Sequence, residues 1–190
     1  VDEEALPHTV DLLAREHQAI RGVLDAFERY LDALGAGDDV DPADLARFLG
    51  FFREYADLGH HEKEEGLLIP ALVRAGHAWD EGPIAQVRRE HHRERYLVAA
   101  LRRAALARAP GAAACPGVVA AAREYVAFLR AHLTLEEGEL FPAVRACLSD
   151  AAERALARNL ARFDREWDEH QDLTFLQQLA AELAVRYPGS

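Results

Sequence analysis

The chain has 190 residues, half of them hydrophobic, and a formal net charge of −11. That length fits one domain, or one domain with an appendage. The acidic balance argues against nucleic acid and anionic membranes as partners, no apolar run approaches the roughly 20 residues of a membrane span, and no charged-then-apolar leader opens the sequence.

Ala, Leu, Glu and Arg dominate, and long runs of Val, Ile and Thr are missing, so the expected fold class is all-α. Cys115 and Cys147 are far apart and lack metal spacing. They read as reduced thiols of a cytoplasmic protein, a disulfide between them being the alternative.

Pro7-His8-Thr9 opens a first helix over about 8–34, with an inner stripe of Leu13, His17, Ile20, Leu24, Phe27, Leu31 and Leu34. Gly35 to Asp39 ends it. Asp41-Pro42 is an N-cap and first-turn pair for a second helix that runs to Arg74 and stops at Gly76. Its stripe runs through Leu45, Leu49, Phe52, Ala56, His60, Glu64, Leu67 and Ala71, and Pro70 is expected to kink its last turns. Asp80 precedes a third helix with Pro83 in its first turn and Ile84, Val87, His91, Val98, Leu101 and Ala105 inward. A loop over 110–117 leads to a fourth helix over about 117–147, with Tyr125, Phe128, His132, Glu136 and Leu140 inward. Ser149 or Asp150 caps a fifth helical region, which breaks near Asp172 and ends at Tyr187.

The chain repeats itself. Glu16-His17-x-x-x-Arg21 returns as Glu90-His91-x-x-x-Arg95. His60-x-x-x-Glu64-Glu65-Gly66-x-Leu68-Ile69-Pro70 returns as His132-x-x-x-Glu136-Glu137-Gly138-x-Leu140-Phe141-Pro142. Each half is a helix with one inward His, a short connection, and a helix with a His-x-x-x-Glu pair. The expected architecture is an up-down-up-down antiparallel four-helix bundle over residues 1–148, with additional C-terminal helices over 149–190 packed on it.

In a helix, residues four apart share a face, so each pair stacks an imidazole beside a carboxylate. Four His and two Glu thus fall at core positions. Burying an unpaired carboxylate costs several kcal/mol, roughly, even after relaxation, and six such residues obeying the repeat call for a cation. Imidazole and carboxylate without thiolate favour iron or manganese. Counting donors gives two ions, with Glu64 and Glu136 as bridges and free positions for an oxo or hydroxo bridge and a small exogenous ligand.

These two segments resemble the hemerythrin-like, or HHE cation-binding, family. The resemblance covers about residues 8–148 and implies a pair of non-haem iron ions inside a four-helix bundle, manganese or zinc being able to fill the same donors. Carried over by motif, the metal ligands are His17, His60, Glu64, His91, His132 and Glu136. The oxygen-carrying members are similar but use a His-x-x-x-His pair on the third helix, where this chain has His91 followed by Arg95. A seventh ligand comes from His61 or Glu94; helical direction reads His61 as a surface neighbour of a ligand, and His92 as solvent-facing.

Arg21 and Arg95 hold Glu64, Glu136, Glu65 or Glu137 from behind, or form ordinary surface ion pairs. Tyr55 and Tyr125 either lend a phenol to the pocket or pack in the core. His8, His77 and His170 lack partners, and the acid- and Trp-rich stretch 163–170 reads as a solvated face. The Leu173, Leu176, Leu179, Leu183 and Tyr187 face packs on its own bundle or forms a homodimer. The implied function is binding or sensing of O2, NO or peroxide; an enzyme turning over these molecules and a metal-stapled structural protein are the alternatives.

Overall fold

The computed structural model describes residues 8–106, 116–171 and 173–188, with the side chains of residues 170 and 171 left aside. Cys115, most of the expected 110–117 loop, Asp172 and the His170 side chain lie outside the described residues. The described chain is helical, with no strand. Its α-helices are α1 (Thr9–Ala36), α2 (Pro42–Phe51), α3 (Ile69–Arg74), α4 (Gly82–Leu106), α5 (Pro116–Leu135), α6 (Phe141–Cys147), α7 (Asp150–Gln171) and α8 (Leu173–Arg186). None is long and apolar enough to cross a membrane.

Local chemistry sets the ends. The His8 side chain caps α1 by accepting from the Val10 N–H, and Gly37 closes it at φ 83°, a left-handed value that favours glycine. Asp41 caps α2 by accepting from the Ala43 N–H, with Pro42 in the first turn.

The expected second helix is one continuous rod, but not a uniform one. Between α2 and α3 it passes through two π-helical segments, Phe52–His61 and Glu64–Leu68. A third, Glu136–Leu140, joins α5 to α6. Both Glu-Glu-Gly segments are therefore π turns, and each leads into a helix whose first turn holds a proline, Pro70 or Pro142. A proline lacks an N–H and collides with the carbonyl four residues back; a wider turn ahead of it relieves both problems. A π turn thus stands directly ahead of Pro70 and of Pro142.

Four rods, α1, α2–α3, α4 and α5–α6, surround two apolar clusters. The larger contains Ile20, Leu24, Phe27, Phe48, Phe52, Val98, Tyr125 and Leu129. The smaller contains Leu13, Leu68, Leu72, Val87, Leu140, Phe141 and Val144. Along each rod, a polar layer separates the two: His17 lies between Leu13 and Ile20, His91 between Val87 and Val98.

The C-terminal helices complete both clusters. Leu156 and Leu160 of α7 enter the smaller one, and Leu176, Leu179 and Leu183 of α8 enter the larger one. The face left open by the sequence between self-packing and dimerisation is thus turned into the chain's own core. The end of α8 is tied down at Asp44, a fully buried carboxylate that accepts from Arg186 at 2.8 Å, Tyr187 Oη at 2.7 Å and Arg47 at 2.6 Å.

Candidate metal centre

The polar layer gathers all six sequence-predicted ligands, each at most 1% exposed. His17 comes from α1, His60 and Glu64 from the π segments of the second rod, His91 from α4, His132 from α5 and Glu136 from the third π segment. Their Nε2 atoms point at one another and at the carboxylates. His17 Nε2 lies 2.9 Å from His60 Nε2 and 3.3 Å from Glu136 Oε2. His91 Nε2 is 3.3 Å from Glu64 Oε2 and 3.4 Å from Glu136 Oε1, and His132 Nε2 is 3.0 Å from Glu136 Oε1.

The outer nitrogens are held as regularly. His17 Nδ1 meets Glu137 at 2.8 Å, His60 Nδ1 meets Glu16 at 2.7 Å, His91 Nδ1 meets Glu65 at 2.7 Å and His132 Nδ1 meets Glu90 at 2.9 Å. A carboxylate only accepts, so each Nδ1 carries a hydrogen and each Nε2 is aimed inward. Cations back these carboxylates: Arg21 on Glu137, Arg95 on Glu65, and Lys63 on Glu16. The Glu-His-x-x-x-Arg repeat is the sequence trace of this ring. Its Glu serves the His of the next rod, and its Arg steadies a carboxylate bound to its own His.

Several inward atoms have no hydrogen-bond partner: both oxygens of Glu64, Glu136 Oε2 and His132 Nε2. Buried polar atoms are nearly always paired, so bare oxygens among inward-facing nitrogens fit a missing cation. Among the described residues, three groups have ligand atoms within 4.8 Å of one another, and two of them lie in this layer: His17, His60, Glu64 and Glu136; and His61, Glu64, His91 and His132. Glu64 belongs to both, and Glu136 touches His17 on one side and His91 and His132 on the other.

The sequence model of the hemerythrin HHE cation-binding domain matches residues 8–144. The chain belongs to the hemerythrin HHE family. No curated protein and no solved structure matches it significantly. The matched residues run from the start of α1 into α6, with α7 and α8 beyond them.

The facing charges of the HHE domain shift one another's titration. Burial pushes the imidazoles down, but the facing carboxylates outweigh it: His17 is raised, His91 is raised well above its usual value, and His132 is raised to about 9. Burial pushes Glu136 up, yet His132, His17 and His91 hold it well below the usual carboxylate range.

His61 departs from the expectation of a surface position. It is fully buried, its ring stacked on His91 at 4.1 Å and edge-on to His132 at 5.3 Å. The inner face is wide enough to take the residue next to a ligand: the mirrored Leu133, beside His132 on an ordinary α-helix, is fully buried as well. His92, on an ordinary α-helix, is exposed as expected.

Tyr125 is fully buried and donates to Glu94 Oε1 at 2.5 Å. Burial raises Glu94 to about 7. Tyr55 stacks on Phe51 and meets Trp167 edge-on at the wall of a cavity of about 400 Å³ behind His60. The stretch 163–170 is more than a solvated face: Asp164 pairs with Lys63 at 2.5 Å, and Trp167 packs on Gly59, where a Cβ would lie 2.6 Å from its ring. His8 contacts Glu153 at 3.2 Å, and His77 Nε2 lies 2.9 Å from Cys147 Sγ, so both have partners away from the centre.

Proposed function

We propose that the HHE domain holds two non-haem iron ions and binds or senses O2 or a related small ligand such as NO or peroxide. His17 and His60 serve one ion, His91 and His132 the other, and Glu64 and Glu136 bridge them. His61 joins the second ion as a seventh ligand, since both its buried ring nitrogens lack partners. The four rods run up-down-up-down, each presenting its ligands to the shared interior.

What carries this reading is the convergence of four Nε2 atoms on two carboxylates whose oxygens are left bare. Iron held by such donors supplies reversible ligand binding or electron transfer toward O2, NO and peroxide. Manganese or zinc can use the same donors.

A second reading, turnover of peroxide, O2 or NO in stress defence, is favoured by one observation. Four residues after His91 stands Arg95, engaged with Asp57 and Glu65, where a further imidazole ligand would otherwise stand.

The test is the optical spectrum of the iron-loaded protein before and after O2, NO and peroxide. A band that appears with O2 and disappears under vacuum supports binding. Gas evolution from peroxide supports turnover. Silence toward all three leaves only a metal staple.

A further inference from the structure

His17, His60, His91 and His132 each have a carboxylate on the outer nitrogen. His61 has none, although it is fully buried. Its ligand atom lies within 4.8 Å of those of Asp57 and Glu94. Asp57 is already committed, to Arg95 Nε at 2.7 Å on Oδ1 and to Arg53 on Oδ2. Glu94 is only half committed: Tyr125 occupies Oε1, and the buried Oε2 has no partner.

Neither the repeat nor packing demands this polar group. At the mirrored positions of the other half stand Ile20 for Glu94, Leu133 for His61 and Leu129 for Asp57, all buried and apolar. A buried carboxylate with one bare oxygen destabilises the metal-free chain, so its presence on one side calls for a partner that arrives later.

We propose that Glu94, steadied by Tyr125, is the positioning residue for His61, accepting the N–H of one ring nitrogen when the other nitrogen meets a metal ion. A neutral imidazole has one N–H and one lone pair. A cation and the bare oxygen of Glu94 satisfy both. A metal-bound imidazole almost always donates its other N–H in this way, which fixes its orientation. The contact closes with the ion rather than before it, which leaves His61 the one imidazole of the site not held in advance. This inference rests on the two-ion reading above.

The test uses the full metal-free chain titrated with Co(II) against a chromophoric chelator, which reads stoichiometry and affinity together. The wild type takes two equivalents, and His61→Ala weakens the second. Glu94→Ile, the mirrored residue, keeps both equivalents and weakens the second about 10–100-fold; Tyr125→Phe does so to a smaller extent. In the His61→Ala background, Glu94→Ile changes the affinity no further.

An equal loss in both backgrounds makes Glu94 a packing residue and overturns the inference. So does the loss of a whole equivalent, which makes Glu94 itself a ligand, and so does an unchanged affinity. Should Glu94→Ile fail to fold by circular dichroism, Glu94→Gln keeps the shape and takes its place in the cycle. His60→Ala and His132→Ala separate the two readings. If they bind cobalt normally, the two-ion reading fails; if they lose it while Glu94→Ile is silent, only the role of Glu94 fails.

Discussion

Glu64 is the residue at which stability and metal binding pull hardest against each other. It is fully buried, lies 3.7 Å from His60 Nε2 and 3.3 Å from His91 Nε2, and has no hydrogen bond to either oxygen. A buried carboxylate with neither oxygen hydrogen-bonded is usually worse for folding than a well-packed apolar residue of similar volume, by about 1–4 kcal/mol. Glu64→Met therefore makes the metal-free protein more stable. For a chain of this size, that gain raises the thermal midpoint by roughly 2–16 °C. The same change removes the carboxylate shared by both ligand groups. The wild type gains about 2.7 kcal/mol from a metal at 100 times its dissociation constant, and the variant gains none of it. Differential scanning calorimetry of both proteins, with chelator and with excess Co(II), measures all four states. A lower midpoint for metal-free Glu64→Met would refute the reasoning, because the carboxylate would then be serving the fold itself.

Three further outcomes are expected. Metal uptake at pH 7 releases at least one proton per chain: His132, at about 9, holds a proton there that an ion must displace, so apparent affinity climbs with pH until about 9; an indicator dye in weak buffer detects the release, and its absence would contradict the charge balance. Burial pushes the Asp44 carboxyl up, but Tyr187 and Arg186 outweigh this and hold it below its usual value, so its contribution is complete above pH ~4 and disappears as pH falls through the lower folded value; Asp44→Asn accordingly narrows the gap between melting midpoints at pH 7 and pH 3. Gly59→Ala puts a Cβ 2.6 Å from the Trp167 ring and costs about 1–3 kcal/mol, read as a lower midpoint together with a shifted Trp emission.

The ligands were legible because a helix turns spacing into direction. His60 and Glu64, or His132 and Glu136, are four apart, and the repeat supplies the second set. His61 is less legible, because the residue after a ligand sits at the edge of the helix face, where either a wide interior or the surface can begin; the buried Leu133 beside His132 shows that the interior here is the wide kind. The carboxylates behind the imidazoles were half legible. Glu16 and Glu90 stand out as repeated neighbours of His17 and His91, but they serve His60 and His132 across a helix boundary that no local period encodes. The acidic stretch around Trp167 hides its packing from the sequence; Gly59, more than a hundred positions earlier, gives it a flat seat.

The ring of paired Glu and His side chains runs in one rotational sense. The first rod braces the second through Glu16, the second braces the third through Glu65, the third braces the fourth through Glu90, and the fourth returns to the first through Glu137. Each two-helix half therefore has one brace satisfied within itself, offers one outward and awaits one in return. Such a half is incomplete by itself yet complementary to its own copy, which is the pattern that duplication of a self-associating hairpin leaves behind when two copies become one polypeptide.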